Sequence, residues 1–149
     1  MIVDVQGFRT PDFVPKEMAI FDGTRLGHYL FKPPFPFKRL REDLKREARW
    51  LERHKHGLAW SSGHTNLNEI NNILQEATRN ARVIYCKGKM KEDYLKKVLP
   101  SSDLVFDLLE ETPALAAVTP ECFFHKLAKC NCTVSFVKQL YNARTQSNM

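Results

Sequence analysis

Cys122, His125, Cys130 and Cys132 crowd into eleven positions near the C-terminus. Thiolate and imidazole groups at such spacing are the residue types that bind soft or borderline metal ions, Zn²⁺ above all. The only other cysteine is Cys86. The opening Met1-Ile-Val-Asp lacks a basic region followed by an apolar stretch, so no secretory signal is expected. Reduced thiols or metal ligands are therefore expected instead of a disulfide framework. The competing view makes these cysteines small buried hydrophobes.

Other residues invite different chemistry. His54, His56 and His64 surround Trp60, Ser61 and Ser62, but a Ser–His pair needs an orienting acid and an oxyanion hole, and neither can be located. No catalytic residue is assigned. The stretch Trp50 to Trp60 is aromatic and basic together; stacking on Trp60 or Phe37, with phosphate contacts from Arg49, Arg53 and Lys55, suits single-stranded RNA. Trp50 is expected to be buried near Leu51. Lys87-Gly88-Lys89 resembles an anion-binding turn but lacks the longer glycine loop of a nucleotide site, so Lys87 and Lys89 are read as phosphate-backbone contacts. His28 lies in a strand without a nameable partner.

The elements that must carry these groups follow from period and punctuation. Met1 to Gln6 reads as a strand, Gly7 to Pro15 as a connector, and Lys16 to Phe21 as a second strand ending at the hairpin signal Asp22-Gly23. Arg25 to Lys32 returns as a third strand, and Pro33, Pro34 and Pro36 then form a rigid bend. Leu40, Leu44, Ala48 and Leu51 share one helical stripe, and Leu67, Ile70, Ile73, Leu74 and Ala77 mark a second helix. A strand at Arg82 to Cys86, a lysine-rich helix before Pro100, a strand at Leu104 to Phe106 and mixed structure to Pro120 follow. A last helix from Thr133 to Arg144 turns Val134, Val137, Leu140 and Tyr141 inward. The first three strands are expected antiparallel and the last two parallel to the first. One domain over residues 1–145 with a disordered tail at 146–149 is the expected organisation, and 149 residues suffice for its core.

Charge narrows the partners. Lysine and arginine exceed the acids by six, and residues 32–55 hold nine bases against four acids. Such an excess favours nucleic acid through counterion release and steering. No apolar run approaches the roughly 18 residues of a membrane helix, so no membrane is expected among the partners.

This order of elements resembles the RNase H-like superfamily, and within it the DEDD 3′–5′ exonucleases. The resemblance implies a five-stranded mixed sheet flanked by helices, and carboxylates that hold two Mg²⁺ ions. Asp4 matches the first acid, but Gln6 stands where a glutamate belongs, Lys91 falls near the next aspartate, and Cys130 replaces the acid after His125. Asp93, Asp103 or Asp107 could compensate. A second resemblance lies in what replaced those acids. Pro15-Lys16-Glu17 and Cys122-Phe123-Phe124-His125 are similar to the pattern of the Maelstrom domain of the piRNA pathway, an exonuclease-like fold with a Glu-Cys-His-Cys zinc site. That likeness implies a structural zinc on Glu17, Cys122, His125 and a last cysteine. Cys132 is preferred for its place at the start of the last helix, where the dipole favours a thiolate, with Cys130 as substitute.

Strand geometry points the same way. Period two puts Glu17, Ala19 and Phe21 on one strand face and Met18 and Ile20 on the other; both faces read as apolar, so Glu17 is expected to point into a partly buried space and to need a partner. The resulting expectation is a zinc-stabilised, catalytically degenerate exonuclease-like domain of the cytoplasm or nucleus. It binds single-stranded RNA or a protein partner, and the Maelstrom likeness implies small-RNA or transposon silencing. A ribonuclease working without the acidic set and a pure interaction scaffold are the alternatives.

Overall fold

A computed structural model describes residues 1–99, 105–107, 122, 124–127 and 129–147. The first two strands are β1 (Ile2–Arg9) and β2 (Phe13–Phe21), and β3 (Leu26–Leu30) follows across a turn. Asp22 builds that turn by accepting the backbone N–H groups of Thr24 (2.8 Å) and Arg25 (2.6 Å). Helix α1 (Glu42–His54), helix α2 (Ile70–Ala77), strand β4 (Val83–Tyr85), helix α3 (Lys89–Val98), strand β5 (Val105–Asp107) and helix α4 (Thr133–Ser147) complete the order.

The class is mixed α/β, as expected. The strands lie in the order β3-β2-β1-β4-β5. β1 pairs antiparallel with β2 and β2 with β3, whereas β4 runs parallel to β1 and β5 parallel to β4. Among the described residues no helix is long and apolar enough to cross a membrane.

Alternation along β1 and β2 divides the core between the two sheet faces. Val3, Val5, Met18 and Ile20 pack against Ile70 and Leu74 of α2 and Leu95 of α3. Ile2 and Ala19 face the other way, against Val134, Val137 and Leu140 of α4. Each of those three helix side chains is buried, which contributes about 1.5–3 kcal/mol apiece. This packing holds the start of α4 over the middle of β2.

Several boundaries differ from the sequence reading. The connector predicted at Gly7 to Pro15 is strand for most of its length, because the chain absorbs one extra residue in a bulge and pairing continues beyond it. Gln6 faces Glu17 and Gly7 faces Pro15, which leaves Lys16 without a partner on β1. Only glycine fits at position 7, since a Cβ there would lie 1.9 Å from the Val14 carbonyl oxygen. Lys16 turns into the interior, where its ammonium donates to the carbonyls of Phe31 (2.9 Å), Trp60 (2.8 Å) and Ser62. Helix α4 takes in residues 146 and 147, which the sequence reading assigns to a disordered tail. The mixed structure expected up to Pro120 lies outside the described residues, apart from Asp107 at the end of β5.

The two tryptophans exchange their expected roles. Trp60 is buried, and its Nε1–H donates to the Phe35 carbonyl at 2.9 Å. Trp50 is 50% exposed, because Leu44, Ala48 and Leu51 take the inner face of α1.

Candidate metal centre

Glu17 sits in the middle of β2, flanked by β1 and β3, with no exposure to solvent. Strand register decides its neighbours. Gln6 lies directly opposite on β1, and its amide donates to Glu17 Oε1 at 2.8 Å. On β3 the direct partner is Leu30, so His28 is the same-face diagonal neighbour; its Nε2 meets Glu17 Oε2 at 2.8 Å. From above, the N-terminus of α4 contributes the Thr133 backbone N–H, 3.0 Å from Glu17 Oε1. A carboxylate at this helix end gains from the macrodipole as well as from the hydrogen bond.

The segment before α4 supplies the remaining groups. His125 Nε2 lies 2.9 Å and Cys122 Sγ 3.6 Å from Glu17 Oε2, and Cys122 Sγ lies 3.7 Å from Cys132 Sγ. One ligand atom from each of Glu17, Cys122, His125 and Cys132 falls within 4.8 Å of all the others, a cluster able to hold a metal ion. Cys130 is buried outside this set, and Cys86 belongs to the core on the opposite sheet face.

The loop after α1 locks this segment in place. The Lys126 N–H donates to the Gly57 carbonyl (3.0 Å) and the Asn131 N–H to the Lys55 carbonyl (2.7 Å). Gln6 reaches the Asn131 carbonyl at 2.8 Å while also holding Glu17. Gly57 has φ +65°, and a Cβ there would stand 2.9 Å from the Lys126 nitrogen. His125 Nδ1 donates to the His56 carbonyl, which fixes the ring and directs Nε2 at the cluster. A backbone carbonyl on the far ring nitrogen is the usual support of a metal-binding histidine.

Charges in the cluster compensate one another. Burial alone would raise the Glu17 carboxyl, but hydrogen bonds from His125 and His28 outweigh it and hold the group well below the ordinary carboxylate range. Burial opposes charge on His125 too, yet hydrogen bonds to Cys132 and Glu17 push it up to about 10. The thiol pair shares a proton: Cys122 is pushed up by its hydrogen bond to Cys132, and Cys132 is pushed down by the same bond. Without a metal, a thiolate and a carboxylate therefore face the protonated His125 ring, which would give up its Nε2 proton to a bound metal ion.

Asp4, two residues before Gln6 on the same strand face, is fully buried and accepts the Lys91 ammonium in an ion pair. Burial raises its carboxyl above the ordinary value of 3.8 even so, with Lys91 opposing the rise. Of the possible compensating acids, Asp93 is paired with Lys89 at 3.2 Å, Asp103 lies outside the described residues, and Asp107 ends β5.

The basic residues singled out from sequence fall into two groups. Arg49, Arg53 and Lys55 are exposed on α1 and just beyond it. Lys87 and Lys89 flank the turn between β4 and α3, where Lys89 is engaged with Glu92 (3.1 Å) as well as Asp93. In the histidine–serine cluster the Ser62 hydroxyl donates to the Ala59 carbonyl (2.7 Å) and not to a histidine, and the buried His56 ring accepts the Leu58 N–H (3.0 Å).

His28 and Gln6 are participants that sequence reasoning missed, and it missed the inward turn of Lys16 beside them. His28 had a signal. Across any hairpin turn of even length at Asp22-Gly23, position 28 shares a face with position 17. Lys16 had none, because the bulge that turns it inward leaves no mark in apolar periodicity.

Together these features define a mixed α/β domain with a candidate four-ligand centre between its sheet and its last helix. No family model matches the chain, and it matches no curated protein and no solved structure.

Proposed function

We propose that this chain is a zinc-stabilised RNase H-like domain that has lost two-metal nuclease chemistry and binds single-stranded RNA. The observation that carries the zinc assignment is the spacing of the ligand atoms. Tetrahedral zinc with Zn–S near 2.3 Å and Zn–O near 2.1 Å requires S···S edges of about 3.8 Å and S···O edges of about 3.6 Å. The cluster offers 3.7 Å and 3.6 Å. The His125–Glu17 separation of 2.9 Å is a direct hydrogen bond, and joint ligation needs that one edge to open to about 3.4 Å. Two sulfurs, one nitrogen and one oxygen suit zinc better than Mg²⁺ or Ca²⁺, which prefer oxygen. Four protein ligands leave no open position, so the ion would have a structural role, pinning α4 to the sheet.

Support for the RNase H-like reading comes from the strand pairing, three antiparallel strands followed by two parallel to the first. Loss of nuclease chemistry is supported by Lys91: an ammonium in contact with Asp4 repels the divalent ions that carboxylate would otherwise help to hold. The net charge of +6 supports an anionic partner, and the RNA assignment with a role in small-RNA or transposon silencing rests on the Maelstrom resemblance.

Elemental analysis of purified protein tests the metal. About one equivalent of zinc is expected, with loss of most of it in Cys122→Ser and little change in Cys130→Ser. Less than half an equivalent in the unsubstituted protein, with folding indifferent to Cys122→Ser, refutes the assignment. Absence of RNA binding at low salt would instead point to a protein-interaction scaffold.

A further inference from the structure

The outward side of α1 carries a pattern that the metal centre does not use. Arg46, Arg49, Trp50, Arg53 and His54 recur at helical spacing and form one continuous stripe, and all five are exposed. They line a shallow depression of about 400 Å³. The inner side of the same helix is spent on Leu44, Ala48 and Leu51, so the core makes no demand on the stripe. Trp50 is nevertheless the most exposed large apolar residue among the described residues, at 50%. Near its ring lie the His54 ring, with centroids 5.4 Å apart, and the Lys55 ammonium, 5.5 Å from the ring centroid. The acids of the first turn are neutralised locally, Glu42 by Lys45 (3.1 Å) and Asp43 by Arg41 (3.4 Å). No acid pairs with Arg46, Arg49 or Arg53 among the described residues. The Arg49 guanidinium instead stands 5.1 Å from the Phe37 ring centroid, which orients it without discharging it.

We infer that this stripe of α1 is a docking track for single-stranded RNA, with Trp50 as a stacking platform for an unpaired base and Arg46, Arg49 and Arg53 as phosphate contacts. The inference rests on the RNA-binding reading above and locates it on one helix face. The stripe runs about 12 Å along the helix axis, enough to meet more than one phosphate. Guanidinium groups beside a planar aromatic suit a strand whose bases are free to stack; a duplex hides those faces. A membrane surface fits poorly, because a helix lying in lipid needs a broad apolar face and here that face is in the core. An acidic peptide would engage the arginines but leave Trp50 without a role. The stacking residue is thus Trp50, in place of the buried Trp60.

The test uses the full chain and a fluorescently labelled uridine 12-mer, with anisotropy measured from 50 to 300 mM salt. Three variants are compared: Arg46→Glu/Arg49→Glu/Arg53→Glu, Trp50→Ala, and Arg25→Glu/Lys97→Glu/Lys129→Glu, which makes the same change in net charge at exposed sites elsewhere. All altered residues are exposed, and circular dichroism confirms folding. The stripe triple variant is expected to weaken binding more than thirtyfold and to flatten the log–log salt slope by about two, the value for three lost phosphate contacts on a single strand. Trp50→Ala should weaken binding about tenfold with the slope nearly unchanged, and the same RNA annealed to its complement should bind more weakly. Equal losses in both triple variants, or equal binding of duplex, overturn the stripe while leaving RNA binding intact. No binding by the unsubstituted chain at 50 mM salt overturns both readings.

Discussion

Replacing Lys91 with methionine removes the ammonium that neutralises Asp4 and leaves a fully buried carboxylate with no cation beside it. The second oxygen, Oδ2, already has no hydrogen-bond partner, so little besides the Val5 backbone N–H supports the charge. Breaking a buried pair from one side costs about 3–5 kcal/mol. For a domain of this size that corresponds to a drop in Tm of roughly 10–16 °C at pH 7. The cost must depend on pH, and its sign follows from Asp4. Its carboxyl already lies above 3.8 in the folded protein, chiefly because it is buried. A group raised on folding contributes its full stability below the unfolded value and loses it as pH rises through the folded one. Without Lys91 the folded value climbs further, so the deficit is largest at neutral pH. It shrinks by up to about 1.4 kcal/mol per unit as pH falls through the range where Asp4 is protonated in the folded variant but still ionised in the folded unsubstituted protein. Chemical denaturation of Lys91→Met and the unsubstituted protein at pH 7 and pH 4.5 measures this directly. The variant should lose less than half as much at pH 4.5, and adding Asp4→Asn should restore at least half of the loss at pH 7. An equal deficit at both pH values, or no recovery in the double variant, would show that Lys91 does not act by neutralising Asp4.

Further consequences can be measured with the same material. Gly7→Ala forces a Cβ onto the Val14 carbonyl oxygen and should cost more than about 2 kcal/mol in a denaturant titration, whereas an ordinary exposed strand glycine costs nothing on this exchange. Acrylamide should quench most tryptophan emission in Trp60→Phe and little in Trp50→Phe; similar quenching in both would contradict the exposures of the two rings. Lys16→Met deletes an ammonium bonded to three carbonyls. It should speed amide exchange of residues 60–65 at least tenfold, and unchanged exchange there would deny that Lys16 holds the loop. If zinc is bound, a chelator titrated in at pH 7 should release it less readily than at pH 5, because His125 and the two thiolates take up protons when the ion leaves. A release constant independent of pH would place the ion on other ligands.

Much of the candidate centre was legible in the chain. Cys122, His125 and Cys132 are neighbours in sequence, so their residue types alone announced a ligand group. Glu17 was legible less directly, from the parity of a strand whose two faces both read as apolar. The mixed α/β class followed from the switch between period two and period 3.6, because each element must bury its own apolar side. Boundaries around the bulge were not legible, since a single inserted residue reverses side-chain facing without altering composition.

What only the tertiary structure decided is which groups meet across elements. The partners of Glu17 come from β1, β3, the loop before α4 and the helix end itself, at sequence separations of 11 to 116 residues. No local pattern encodes contacts of that range; they follow from strand register and from the packing of α4 on the sheet. The same holds for Lys91, which by sequence was a misplaced base and in the fold is the counter-ion of Asp4. It holds as well for the two tryptophans, whose exposure depends on which side of α1 the core occupies. Sequence determined the chemistry available, because residue types carry it; the fold determined where that chemistry converges, because distance and burial are properties of packing.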